Sequence, residues 1–154
     1  MLCSMEMKIL DSRIGTDDRF PMPSRGTKGS AGIDLMACLD ENFVLKAGET
    51  KKIKTGIAIY LKDANYVGKI YPRSSLGTKN GIVLGNLVGV IDADYQGEIL
   101  VCLWNRSNVD YTIKVGERIA QYVVARVEQP AINIVEEFSE KSSRGEGGFG
   151  STNT

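Results

Sequence analysis

From Lys51 to Tyr60 the chain reads Lys51-Lys52-Ile53-Lys54-Thr55-Gly56-Ile57-Ala58-Ile59-Tyr60, and its isoleucines fall on every second position or on multiples of two. A period of two is the signature of a strand with one buried face and one wet face. The same β-branched, partly alternating character returns at residues 53–61, 66–71, 98–104, 111–115 and 119–127. Between these runs stand turn signals: Lys46-Ala47-Gly48-Glu49, Asn80-Gly81, Gly85-Asn86 and Val115-Gly116-Glu117. Strands separated by turns roughly every ten residues predict an all-β sandwich or barrel. Helical periodicity is nearly absent, and a single brief helix is expected at residues 77–80.

Two segments break the pattern. Residues 16–30 are polar and contain prolines, so they are expected to cross the surface as a loop. Residues 139–144 are polar and serine-rich and lead into Arg144-Gly145-Glu146-Gly147-Gly148-Phe149-Gly150-Ser151. Four glycines in eight positions keep that segment from folding alone, because glycine loses the most backbone freedom on ordering. The expected organisation is therefore a β-barrel domain over 1–138 and a flexible arm over 139–154. The arm carries an arginine and a phenylalanine, side chains suited to gripping a phosphate and stacking on a flat ring.

Composition narrows the chemistry. The 154 residues suit one domain, and 42% of them are apolar, ordinary for a globular chain. Lys+Arg and Asp+Glu balance at 19 each, so no basic excess argues for nucleic acid. No apolar run approaches a transmembrane helix, and the first ten residues lack the order of a signal peptide. The cysteines, Cys3, Cys38 and Cys102, are odd in number and isolated, which reads as free thiols in a reducing, cytoplasmic setting. The sequence has no histidine. That removes Ser-His and Cys-His nucleophilic pairs, histidine bases and histidine-ligated zinc. Catalysis must rest on carboxylates, arginines, hydroxyls, backbone groups or a metal held on oxygen.

Five short constellations carry candidate chemistry. Tyr71-Pro72-Arg73-Ser74-Ser75-Leu76-Gly77 packs an arginine, two hydroxyls and a glycine into an anion cradle, or else is simply a strand ending in a serine-rich turn. Gly85 and Gly89 bound an expected hairpin, after which Asp92 and Asp94 stand two apart. On a strand they would face one way and share a site, unless Asp94 instead caps the turn toward Gly97. Asp34 sits alone in Ala31-Gly32-Ile33-Asp34-Leu35, so it is either salt-bridged or part of a site. Arg118 and Gln121 lie three apart in Arg118-Ile119-Ala120-Gln121, and the glycine-rich arm is the fifth.

In this order the five segments resemble the five motifs of the trimeric deoxyuridine triphosphatases (dUTPases), over residues 8–152. The stretch Gly81-Ile82-Val83-Leu84-Gly85-Asn86-Leu87-Val88-Gly89 is similar to the bacterial branch. The sister dCTP deaminases usually carry Asp-Pro-Gly-Trp where this chain has Asp92-Ala93-Asp94-Tyr95, and they lack the glycine-rich arm.

The resemblance implies a β-jelly-roll, a homotrimer with sites between subunits, and hydrolysis of dUTP to dUMP and pyrophosphate with Mg²⁺ on the triphosphate. By the same resemblance Asp92 is the general base that orients a water onto the α-phosphorus, a role open to an ionised carboxylate. Tyr95 lies against the deoxyribose and leaves no room for a 2′-hydroxyl. Asn86 and the hairpin through Val90 form the uracil pocket. Arg73, Ser74, Ser75 and Gly77 cradle the phosphates, and Gln121 stands near the α-phosphate. Arg118 supports the site by pairing with a carboxylate, Asp94 supports it as well, and Asp34 helps organise the metal's water shell. Arg144 takes the γ-phosphate, Phe149 stacks over uracil, and Gly150 and Ser151 belong to the same closing segment. Many relatives have glycine where Ser75 stands, which leaves the backbone N–H in place.

Overall fold

The computed structural model describes residues 4–148. Two four-stranded sheets share one apolar core. Their strands are β1 (Glu6–Ile9), β2 (Gly32–Met36), β4 (Thr50–Tyr60), β5 (Tyr66–Pro72), β6 (Ile82–Leu84), β7 (Gly89–Ile91), β8 (Glu98–Asn105) and β10 (Arg118–Arg126). One sheet runs β1-β4-β8-β6 and the other β2-β10-β5-β7. Strands β3 (Phe43–Leu45) and β9 (Tyr111–Ile113) form a separate two-stranded ribbon. Every pairing is antiparallel. This is the all-β architecture that the strand pattern anticipates, and the jelly-roll that the resemblance implies.

Alternation explains how the sheets meet. On β8, Ile99, Val101 and Leu103 point inward, while Leu100 and Trp104 face out. Ile53, Ile57 and Ile59 from β4 join them, with Leu35, Ile70, Ile119 and Tyr122 from the second sheet. The alternation of β4 breaks at Gly56, whose φ is +70°, and the register with β8 shifts between Lys54 and Ala58. A Cβ on Gly56 would sit 2.9 Å from Cys38 Sγ and 3.0 Å from Asp11 Cβ, so the N-terminal loop can lie here only over a glycine. At the other end of β8, Asn105 is fully buried and fully satisfied. Its Nδ2 donates to Leu45 O and Val109 O, and its Oδ1 accepts from the Ser107 amide and hydroxyl.

The polar segment 16–30 does cross the surface without regular structure, but it is anchored from within. Phe20 is completely buried, under the Arg13 guanidinium 4.7 Å from its ring centre. The one helical feature among the described residues is a π-helical turn, Leu76–Asn80, ended by Gly81 in the left-handed region. Beyond β10 the chain has no strand among the described residues. Ile132, Ile134 and Phe138 are each at least 90% exposed. No helix among the described residues is long and apolar enough to cross a membrane.

Candidate active site

The centre of the second sheet assembles one group of candidate residues. Register sets Gln121 on β10 opposite Asp34 on β2 and Tyr71 on β5. Leu35 and Tyr122, their chain neighbours, point into the core, so Asp34 and Gln121 face outward together. Arg73 follows the end of β5, and its Nη1 donates to Asp34 Oδ1. Arg118 Nη1 donates to the other oxygen, Oδ2, at 3.3 Å. Asp34 thus orients two guanidinium groups: it is salt-bridged, and it also borders the cavity that these groups line.

Arg118 reaches this face because of a bulge. The β2–β10 register shifts between Arg118 and Ala120, so Ile119 and Ala120 are buried in succession. Counting back from Gln121 with strict alternation would drive Arg118 into the core.

Gln121 Nε2 donates to Pro72 O at 3.1 Å. A Cβ on Gly32 would lie 2.9 Å from Gln121 Oε1, so the glycine keeps that amide in place. Ser74 and Ser75 begin the helical turn, and their exposed hydroxyls make no hydrogen bond among the described residues. A cavity of about 290 Å³ runs between these groups, lined by Gly26, Ser30, Ala31, Gly32, Asp34, Arg73, Ser74 and Gln121. With arginine, hydroxyl and amide groups on its wall, it is equipped to hold an anion. The loop residues Gly26 and Ser30 were not singled out from the sequence, since nothing local marks a surface loop as a cavity wall.

A second group lies elsewhere. Asp92 and Asp94 follow β7 in a turn closed by the Tyr95 amide on Asp92 O at 3.2 Å. They are therefore not strand neighbours, as their spacing suggested, yet both line a cavity of about 660 Å³ with Tyr60, Lys62, Tyr66 and Gln129. No cap from Asp94 toward Gly97 forms among the described residues. Gly97 has another role: a Cβ there would meet the Tyr95 hydroxyl at 2.4 Å. The half-exposed Tyr95 ring lies over this bare backbone, its hydroxyl donating to Glu98 O at 3.0 Å.

The expected hairpin is corrected. A tight turn exists at Gly85–Val88, with Leu87 at φ +64°, but β6 pairs with β8 while β7 pairs with β5. The connection carries the chain from one sheet to the other. Asn86 and Val90 border a small hollow there, of about 80 Å³, and Val90 is largely exposed.

Asp92 does not line the Arg73 cavity, and Arg73, Ser74 and Gln121 do not line the Asp92 cavity. Arg144 is exposed, lines neither cavity and has no side-chain partner among the described residues. Phe149, Gly150 and Ser151 lie outside the described residues. Among the described residues no group of three or more Asp, Glu, Cys or His side chains is arranged to hold a metal.

Fold and site define an all-β protein with an arginine-lined anion cavity and a separate carboxylate turn. The dUTPase family model matches residues 18–153, and the chain belongs to the dUTPase family. The deoxyuridine 5′-triphosphate nucleotidohydrolase of Psychrobacter sp. (strain PRwf-1) is 61% identical over 147 residues, covering 96% of each chain. The dUTPase of Staphylococcus bacteriophage 80alpha, solved with dUPNHPP, aligns at a TM-score of 0.78 with 29% identity, covering 99% of both chains. The dUTPase of phage phi11 of S. aureus, solved as a mutant with a structural Mg(II) ion, aligns at 0.75 with 25% identity, over 89% of this chain and 99% of that one.

Proposed function

We propose that each chain carries two half-sites, and that hydrolysis of dUTP to dUMP and pyrophosphate, the reaction of its family, takes place where copies in a homotrimer bring them together. The observation that carries this reading is the separation of Asp92 from the Arg73–Ser74–Gln121 cavity. A base and a phosphate cradle must meet within hydrogen-bond reach of one α-phosphate to act on it. The nearly full exposure of Ile132, Ile134 and Phe138 supports the same picture, since large apolar groups in a row mark a surface meant to be covered.

In this reading Arg73, Ser74, Ser75 and the backbone at Gly77 bind the phosphates, with Gln121 beside the α-phosphorus. Asp34 holds Arg73 and Arg118 in position before substrate arrives. Asp92 accepts the proton of the attacking water, and Asp94 and the Tyr95 ring shape its surroundings. Asn86 and the turn before Val90 read the uracil edge. The arm supplies Arg144 to the γ-phosphate, Phe149 to the base, and Gly150 and Ser151 to the closure. When bound, a magnesium ion spreads the phosphate charge and makes pyrophosphate a better leaving group. The residues present fit a metal held on substrate oxygens. Among the described residues there is no carboxylate cluster, and Asp34, committed to two arginines, would reach a metal only through water.

Complementation tests the shared site. Asp92→Asn and Arg73→Ala are each expected to lose at least about 100-fold in kcat/KM. Unfolded and refolded together, the two variants should regain activity, because some mixed trimers hold an intact site. Recovery no greater than the sum of the separate variants would show that Asp92 and Arg73 serve from one chain.

A further inference from the structure

The loop that walls the phosphate cavity carries unspent positive charge. Residues 19–33 include Arg19, Arg25 and Lys28 and no acidic residue. Arg19 is committed to Asp17, with Nη2 2.6 Å from Oδ2. Arg25 and Lys28 are exposed and make no ion pair or hydrogen bond among the described residues. Neither lines the cavity itself, but both neighbour its wall in the chain: Gly26 and Ser30 line the 290 Å³ cavity together with Arg73, Ser74 and Gln121.

The loop is fixed by its own hydrogen bonds. The Ser30 amide donates to Thr27 O at 3.1 Å, and the Thr27 amide donates to Ser30 Oγ at 3.0 Å. Lys28 occupies the tip of this turn, two positions from each wall residue, so its Cα lies within about 7 Å of both. A flexible four-carbon stem gives its ammonium further reach.

Charge supplies the reason to look there. Two arginines share one aspartate at the cavity, leaving the trio with a single net positive charge. A polyphosphate is more highly charged than that, and the hydroxyls of Ser74 and Ser75 are neutral. The loop beside this cavity holds two cations, Arg25 and Lys28, that have no ion pair among the described residues.

We propose that Lys28, flanked by Arg25, is a phosphate-binding residue that grips the polyphosphate, and the pyrophosphate product, from the loop side of the cavity. The proposal rests on the functional reading above and names an additional contact within that site. Lys28→Gln should raise KM for dUTP by about three- to tenfold and weaken inhibition by pyrophosphate by a similar factor, with kcat changed less than about twofold. Lys28→Arg should restore both, because it keeps the charge. The difference between wild type and Lys28→Gln should shrink as salt is raised. Arg25→Gln should act in the same direction and more weakly.

Calorimetric titration of pyrophosphate separates this proposal from the reading beneath it. An unchanged pyrophosphate Kd in Lys28→Gln overturns the role of Lys28 even with dUTP turnover intact. A fall in kcat with KM unmoved, or failure of Lys28→Arg to rescue, overturns it as well. If wild type fails to hydrolyse dUTP, the functional reading falls, and the pyrophosphate titration still judges Lys28.

Discussion

Tyr122 carries its hydroxyl into the core and finds no hydrogen-bond partner among the described residues. Its ring lies across Gly68, where an added Cβ would come within 2.0 Å of the phenolic oxygen. Burial pushes the phenol up to about 12. An unpaired buried hydroxyl costs about 1–3 kcal/mol, so Tyr122→Phe should leave stability in urea unchanged or raise it by about 1 kcal/mol. A loss beyond about 1 kcal/mol would mean the hydroxyl has a partner. The acidic residues of the N-terminal loop behave oppositely. The side-chain hydrogen bond from Arg19 lowers Asp17 to about 2. Asp11 is held well below the usual carboxylate range, first by Arg13 and then by the Cys38 thiol. Groups with depressed folded pKa values stabilise the protein above their unfolded pKa and lose that contribution as protons bind the native state. Melting temperature should therefore fall as pH drops from about 4 toward 2, and Asp11→Asn and Asp17→Asn should flatten that part of the curve. An identical slope in both variants would remove these pairs from the acid response.

At the scale of elements, the sequence made the long strands plain. The five runs read from β-branched alternation correspond to β4, β5, β8, β9 and β10 within a few residues at each end. Strands β3, β6 and β7 span three residues each and, unlike the equally short β9, sit in no alternating run, so local pattern offers a hairpin at Gly85 where the chain changes sheet. Pairing partners are a tertiary fact, and local pattern does not contain them. The same divide runs through the site. Arg73, Asp92 and Gln121 stood out by residue type and order, whereas the Arg118–Asp34 pair depends on a register shift that no local signal announced. Nor did spacing disclose that Gly32 makes room for Gln121. Gly32→Ala should push the Gln121 side chain from Pro72 and lower kcat/KM by about tenfold or more, with a small drop in melting temperature. Unaltered kinetics in that variant would show that Gln121 has other room to settle.

For the whole molecule, the proposed half-sites entail that activity and assembly rise and fall together. Light scattering should give a trimer under assay conditions, and dilution that dissociates it should abolish turnover. The arm adds a second dependence. Ordering eight glycine-rich residues costs roughly 1–2 kcal/mol each, and one stacked ring returns only about 1–3 kcal/mol. On the proposed reading, closure needs the γ-phosphate as well as the base, and it should favour triphosphate over the monophosphate product. Truncation after Ser143 should cut kcat/KM by at least about 100-fold while the melting curve of the body stays in place. A truncated chain with full activity would take the arm out of the mechanism.

The bulge in β10 has a meaning beyond the one side chain it redirects. It acts as a phase marker in the strand. Residues after it are read in one parity and those before it in the other, with Ile119 as the inserted beat. Inserting a single residue between Arg118 and Ile119 would keep every charged group of the motif and nearly the same composition. It would nonetheless present Arg118 to the oily interior and turn the start of the strand inside out. Among related chains, a one-residue insertion at this point should thus be far more damaging than a substitution of Arg118 itself.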